Sequence, residues 1–166
     1  MRSFRLLAHA EIEAFLEDRA QVIADEAVRK WRSDGRPRRV LLGLLVFNAK
    51  PEELSKQDLR NLITQSASHI SNSIERAYQQ YRNRLKDNHG IKKDNLLGIL
   101  LPLGLEVSDI DAMWLATTDG FGGRRGETAH KAIAVQQPLD PETELKTVRN
   151  IVAGLYALDR TLSKVR

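Results

Sequence analysis

The feature that most constrains the fold is the spacing of apolar residues near the C-terminus. Between positions 140 and 165 they recur every three or four residues, which is the repeat of one face of an α-helix. Asp140 can cap such a helix, Pro141 suits its first turn, and Glu142 and Glu144 suit its positive end. The pattern predicts a long amphipathic helix. Its buried stripe comprises Leu145, Val148, Ile151, Val152, Leu155, Leu158, Leu162 and Val165.

The same repeat occurs over two other long stretches. One runs from near the N-terminus to about Arg32, where Gly35 and Pro37 end it because neither residue continues a helix cheaply. The other runs from Ser55 to about Lys86, and Gly90 suits a left-handed cap after it. The apolar faces are Ile12, Leu16, Ile23, Ala27 and Trp31 in the first stretch, and Leu59, Leu62, Ile63, Ile70, Ile74, Tyr78, Tyr81 and Leu85 in the second.

Two shorter apolar segments are less decisive. Residues 40–49 could form a buried strand or a buried helix, and we favour a short helix because no second strand-like run exists to pair with it. Residues 96–103 predict one or two helical turns, ended by Pro102 and Gly104.

The region after these segments carries the signals of another helix start. Ser108 is a candidate N-cap, and the carboxylates that follow it suit a positive helix end. Ile110, Met113 and Trp114 would form its core face. The glycines at 120, 122 and 123 are expected to break the chain. The fold predicted from all these segments is an all-α bundle of about five helices.

Length and composition limit the class of protein. A chain of 166 residues predicts a single domain over 1–166, and the absence of cysteine excludes disulfides and thiolate metal sites. The longest apolar run, residues 40–47, is far short of the roughly 20 residues that span a bilayer. We therefore expect a cytoplasmic protein without a membrane partner.

The charge balance favours a polyanionic partner. The net charge is +4 with a pI of about 9.5, although such a charge is also compatible with an ordinary surface. Arg36, Arg38 and Arg39 form a basic connection after the first helix. Aromatic residues make up 5% of the chain, so no stacking platform for nucleobases is evident.

Among possible chemical motifs, one spacing occurs twice. Arg84 and His89, and Arg125 and His130, are each separated by four residues, a match expected about 0.4 times by chance. There is no dinucleotide-binding or phosphate-binding loop, and the four histidines are scattered, so no cofactor or metal is predicted. Arg84 is expected to lie at the end of a helix and His89 beside the capping Gly90, which favours a solvated helix end.

Small residues surround the second match, which allows close approach of a backbone or another helix. A histidine that titrates near neutrality can move the proton of an RNA 2′-hydroxyl or of the leaving oxygen, and an arginine can hold the phosphoryl oxygens. Five residues of α-helix turn about 140° beyond one full turn. Either the segment between Arg125 and His130 is partly non-helical, or a second chain completes the site.

The stretch from Ile110 to His130 resembles the signature of HEPN domains, most closely the RiboL-PSP-HEPN branch, in which an Arg-Gly-x-x-Ala-His or Arg-Asn-x-x-Ala-His element precedes the final helix. Residues 9–17 resemble the first helix of such domains, and residues 88–97 and 101–104 resemble their middle segment. The resemblance covers nearly the whole chain. It implies a dimeric, metal-independent endoribonuclease that acts in toxin–antitoxin systems, phage defence or RNA processing.

The resemblance implies that Arg125 and His130 are the catalytic pair, and we expect Arg124, Gly126 and Lys131 to contact RNA beside them. Arg124 is an alternative to Arg125 as the phosphate ligand. Gly126 departs from the Asn, Asp or His often found there. The expected partners are RNA, a second copy of the chain, and an antitoxin or an RNA-repair protein.

Two alternatives to an RNA-cutting enzyme stay open. The first is a HEPN-type module that binds RNA or a protein without cutting, which Gly126 and the absence of an evident second general base favour. The other is a helical adaptor with no nucleic-acid role. Cleavage without added metal separates the enzyme from both, and salt-dependent RNA binding separates the two alternatives.

Overall fold

The structure is a computed structural model that describes residues 2–48, 66–130 and 140–165, with the backbone alone at 66–69 and 125–130. These residues form six α-helices and two short 3-10 turns, at Leu101–Leu103 and Val107–Asp109, and contain no strand. The predicted all-α bundle of about five helices is confirmed. The helices are α1 (Arg2–Asp34), α2 (Arg39–Asn48), α3 (Ser66–Lys86), α4 (Lys93–Leu100), α5 (Ala112–His130) and α6 (Pro141–Lys164).

Helix α1 organises the bundle. It has 33 residues, which makes it about 50 Å long, and it contacts each of the other five described helices. Its buried positions follow the predicted apolar repeat, and they extend it at the N-terminal end with two polar residues, Arg5 and His9. The apolar part of this face consists of Ile12, Leu16, Ala20, Ile23, Ala24, Ala27 and Val28.

Helix α6 has the start that the sequence predicts. The Asp140 side chain accepts from the backbone N–H of Thr143 at 2.9 Å, and Pro141 occupies the first turn. Ile151, Leu155 and Leu158 are buried as expected. Leu145 is 40% exposed, so its place in the predicted buried stripe is wrong. The buried residue of that turn is Glu144, which forms an ion pair with Arg5 of α1.

The ambiguous segment at 40–49 is helical, since α2 covers Arg39–Asn48. The predicted helix from Ser55 to Lys86 is described from Ser66 onward, and its earlier part lies outside the described residues. Gly90 does not cap α3, because the helix ends at Lys86; Gly90 instead has a φ of +150° in the connection to α4. The segment at 96–103 is α4 and the 3-10 turn after it, as predicted.

The start of α5 differs from its prediction. Ser108 lies in the second 3-10 turn, and the residue that caps α5 is Asp111, whose carboxylate accepts from the backbone N–H of Trp114 at 2.6 Å. Ile110 and Trp114 are buried, but Met113 is 76% exposed and does not belong to the core face. The helix begins three residues later than expected, so Ile110 precedes it. Met113 therefore does not share a helix face with Ile110, in contrast to what the apolar spacing predicted.

The glycines of α5 do not break the chain, since the helix is continuous from Ala112 to His130. A helical glycine costs about 1 kcal/mol relative to alanine. At Gly122 a close contact offsets this cost, because an added Cβ would lie only 3.3 Å from Ile91 and from the backbone N of Lys92. Tertiary packing therefore overrides the local preference. Among the described residues, no helix is long and apolar enough to cross a membrane.

Candidate active site at one end of the bundle

Helix α5, which carries Arg125 and His130, is fixed on three sides. The indole N–H of Trp114 donates to the carbonyl oxygen of Ile151 in α6 at 3.0 Å. The Asp119 carboxylate accepts from the backbone N–H of Lys93 at 2.8 Å and so ties α5 to the first turn of α4. Phe121 is fully buried. The C-terminal half of α5 therefore continues from residues that are packed and hydrogen-bonded in the core.

The backbone of the Arg125–His130 segment is helical, because α5 continues to His130. Of the two explanations that the spacing left open, a partly non-helical segment is therefore not the one observed. In an α-helix the two positions stand about 140° apart around the axis. Arg125 follows Phe121 by one turn and shares its side of the helix, whereas His130 does not.

A buried ion pair lies at the same end of the bundle. Arg5 in α1 donates through Nε to Glu144 Oε2 at 2.8 Å and through Nη2 to Oε1 at 2.5 Å, and both residues are at most 5% exposed. The pair joins the first turns of α1 and α6. The hydrogen bond from Arg5 is the main cause that lowers the pKa of Glu144, and the positive charge of Arg124 lowers this pKa further. Arg5 is therefore the main group that stabilises the ionised form of this buried carboxylate.

One histidine is buried beside α5. His9 is 2% exposed and stacks on Phe121, with ring centroids 6.5 Å apart and an angle of 23° between the planes. Its Nδ1 lies 3.5 Å from Oε2 of Glu13, one turn further along α1. Sequence reasoning missed this contact. The available signal was that His9 lies three residues before Ile12, on the apolar stripe of α1.

An amide network supports Glu13. The Asn88 side chain donates to Glu13 Oε1 at 3.2 Å and to Glu17 Oε1 at 2.7 Å, and it accepts from Asn95 Nδ2 at 2.8 Å. These contacts tie the connection before α4 to α1. Together with His9, they make the side of α1 that faces the motif end of α5 polar and highly connected.

The structure places the predicted site residues unevenly. Arg124 is exposed and acts electrostatically on Glu144. Lys131 lies outside the described residues, and for Arg125, Gly126 and His130 only the backbone of α5 is described. The roles of these residues in binding and catalysis stay predictions.

The other match of the same spacing is not on one helix. Arg84 lies in the last turn of α3, and His89 is an exposed residue beyond the end of that helix. This agrees with the prediction of a solvated helix end for this pair.

The basic connection after α1 is largely neutralised within the protein. Arg38 Nη2 lies 2.6 Å from Asp34 Oδ2, and this hydrogen bond is the main cause that lowers the pKa of Asp34 to about 2. Arg39 lies 3.2 Å from Asp109 and 3.5 Å from Glu106. The connection therefore offers RNA less positive charge than its sequence indicates.

The polar side chains just described do not assemble a metal site. Within the described ranges, no group of three or more His, Asp or Glu side chains is arranged to hold a metal ion.

The fold and this site define the class of the protein. It is an all-α bundle in which an Arg-x4-His element ends the penultimate described helix, beside the buried Arg5 and His9 of α1. The sequence model of the RiboL-PSP-HEPN family matches residues 1–164. The chain therefore belongs to the RiboL-PSP-HEPN family, and the resemblance noted in the sequence is confirmed. No curated protein and no solved structure matched the chain.

Proposed function

We propose that the protein is a metal-independent endoribonuclease, with Arg125 and His130 as its catalytic pair in a homodimer. The observation that carries the proposal is the Arg125–His130 element on α5 of a chain that matches a HEPN family over almost its whole length. Arg124, Gly126 and Lys131 would lie along the bound RNA. The setting would be cytoplasmic, in a toxin–antitoxin, phage-defence or RNA-processing role, with an antitoxin or RNA-repair protein as a further partner.

The chemistry needs no group beyond these side chains and the RNA itself. The 2′-hydroxyl loses its proton and attacks the adjacent phosphorus, and the bond from phosphorus to the 5′-oxygen breaks as that oxygen gains a proton. His130 would transfer one of these protons, and Arg125 would hold the phosphoryl oxygens as negative charge increases on them. The products would end in a 2′,3′-cyclic phosphate and a 5′-hydroxyl.

The test compares RNA cleavage by four proteins in the presence of a chelator. His130→Ala is expected to remove about 10²–10⁴-fold of the rate, because a proton-transfer group is lost, and Arg125→Ala about 10²–10³-fold, because a charge-stabilising donor is lost. His89→Ala is the matched control, since His89 has the same spacing from an arginine but is exposed outside any helix. Loss of activity with His89→Ala and not with His130→Ala would show that the catalytic histidine belongs to the Arg84–His89 match and not to the Arg125–His130 element.

Two further comparisons complete the assignment. Single and double substitutions of Arg124 and Arg125 determine which guanidinium contacts the phosphate, and we expect Arg125. Loss of wild-type activity on addition of the chelator would contradict the metal-free mechanism even if both substitutions behave as expected.

A second candidate function is RNA or protein binding without cleavage. The observation that favours it is Gly126, which leaves the position directly after Arg125 without a polar side chain. Salt-dependent RNA binding by a wild-type protein that yields no cyclic-phosphate product would support this function over the first.

A further inference from the structure

The outward face of α6 carries a cationic stripe that the proposed catalytic site does not use. Lys146, Arg149, Arg160 and Lys164 are all exposed, and helical geometry places them within about 60° of one another around the axis. None of the four forms an ion pair with a described residue. We call these four residues and Tyr156 the α6 stripe.

Acidic residues hardly offset this charge. Asp159, on the flank of the stripe, is paired with Arg19 of α1, and Glu144 is buried against Arg5. Glu142, in the first turn, is the only carboxylate of α6 on the outward side. Asp109 and Asp111 line the groove beside the stripe, where Asp109 is paired with Arg39 and Asp111 accepts from the backbone N–H of Trp114. The residues of α6 itself therefore form a nearly uniform positive edge about 27 Å long, from Lys146 to Lys164.

Tyr156 adds a second, independent feature. Its side chain is 67% exposed in the middle of the stripe, four residues before Arg160 and seven after Arg149. An exposed aromatic ring between cations is the combination that binds unpaired nucleobases, because a ring stacks on a base while the cations contact the phosphates on either side. A duplex hides its base faces and would gain little from this ring.

The stripe begins at the end of the bundle that carries the Arg125–His130 element. Glu144, two residues before Lys146, is close enough to Arg124 of α5 for the arginine to lower its pKa. Along the axis of α6, Lys146 is the cation of the stripe that lies nearest this end of the bundle. We propose that the α6 stripe binds single-stranded RNA outside the catalytic cleft, with Tyr156 stacked on a base. This proposal rests on the proposed function only for its choice of RNA as the partner.

The test measures the affinity of the full chain for a fluorescent single-stranded RNA as a function of salt, with His130→Ala present throughout to prevent cleavage. Lys146→Gln with Arg149→Gln removes two phosphate contacts, so the slope of log K against log salt should fall by about 1.4, and binding at about 0.1 M salt should weaken about 25-fold. The control, Arg82→Gln with Lys86→Gln, also removes two positive charges. They come from α3, where both residues line a groove that contains the carboxylates of Glu17 and Asp18. It should bind like its parent.

Tyr156→Ala tests the stacking. It should weaken binding of single-stranded RNA about 5- to 150-fold, whereas Tyr156→Phe should bind normally and a duplex of the same sequence should be insensitive to both changes. Equal losses in the α3 control, an unchanged salt slope, or normal binding by Tyr156→Ala would each overturn the proposal. No RNA binding by the parent protein would also overturn it and would leave a protein as the partner of the stripe.

Cleavage by the chain with its native His130 separates this proposal from the proposed function. If that protein binds RNA through the stripe but does not cut it, the endoribonuclease assignment fails and the binding surface stands. If it cuts RNA and the stripe variants bind normally, the binding surface alone fails.

Discussion

At the scale of single residues, the buried ion pair between Arg5 and Glu144 joins the first turns of α1 and α6. Burying two charges costs free energy that the bidentate contact offsets, and breaking a buried pair of this kind by removing one partner costs about 3–5 kcal/mol. Neither residue could be paired from the sequence, because they lie 139 positions apart and each looks like an ordinary charged residue of a helical first turn. The sequence assigned Leu145 to the buried face of that turn in place of Glu144.

This pair predicts a pH dependence of stability. The pKa of Glu144 is lowered in the folded protein, so its contribution is complete above the ordinary pKa of a glutamate and is lost as the pH falls through the lowered value. Glu144→Gln should therefore lower the free energy of unfolding by about 3–5 kcal/mol at pH 7, because the buried bidentate contact with Arg5 loses its negative charge.

Urea unfolding of wild type and Glu144→Gln at a series of pH values measures this effect. The two curves should converge as the pH falls, because a protonated Glu144 is as neutral as a glutamine. Asp34 also has a lowered pKa, but both proteins keep it and it does not act on Glu144, so its contribution cancels in the difference. A difference that is constant from pH 7 to about pH 3 would show that ionisation of Glu144 contributes nothing.

At the scale of elements, the sequence predicts best where one signal dominates. In α6 the Asp140 cap and the apolar repeat agree with each other, and the helix forms where they indicate. In α5 the signals conflict, since its glycines favour a break while Trp114 and Phe121 favour a packed helix. The packing prevails, and packing partners distant in sequence are what a single sequence cannot supply. The Arg125–His130 spacing could be read from the sequence, but the buried contacts of Arg5 with Glu144 and of His9 with Glu13 could not.

Two glycines provide a matched test of that packing. A Cβ at Gly154 of α6 would lie 1.9 Å from Cδ1 of Trp114, whereas a Cβ at Gly123 of α5 meets nothing within 4 Å. Gly154→Ala should therefore lower the free energy of unfolding by about 1–3 kcal/mol or more through overpacking. Gly123→Ala should raise it by up to about 1 kcal/mol, because alanine is the better helix former. Denaturant midpoints measured on both variants check the opposite signs, and a stabilised Gly154→Ala would contradict the α5–α6 packing described above.

At the scale of the whole molecule, the end of the bundle concentrates the features that the proposed activity needs. The first turn of α6, the buried polar side of α1 and the last turns of α5 meet there, and the α6 stripe runs away from it. The contacts of Trp114, Asp119 and Phe121 join α5 to α6, α4 and α1, which favours a preorganised site. One continuous helix nevertheless places positions 125 and 130 about 140° apart around its axis, so the two residues of the proposed site are divided between different sides of the helix.

The last prediction follows from that division. In a dimer with twofold symmetry, Arg125 of one copy and His130 of the other can meet in one cleft. A mixture of Arg125→Ala and His130→Ala proteins, unfolded and refolded together, should then recover about a quarter of wild-type cleavage, because about half of the dimers are mixed and each mixed dimer has one intact pair of two. Each variant alone should stay inactive, and the doubly substituted protein mixed with either should recover nothing. Sedimentation should show a dimer at tens of micromolar, roughly the range well above the dissociation constant of a tight dimer. A strict monomer at that concentration, or a mixture no more active than its components, would mean that both residues act within one chain.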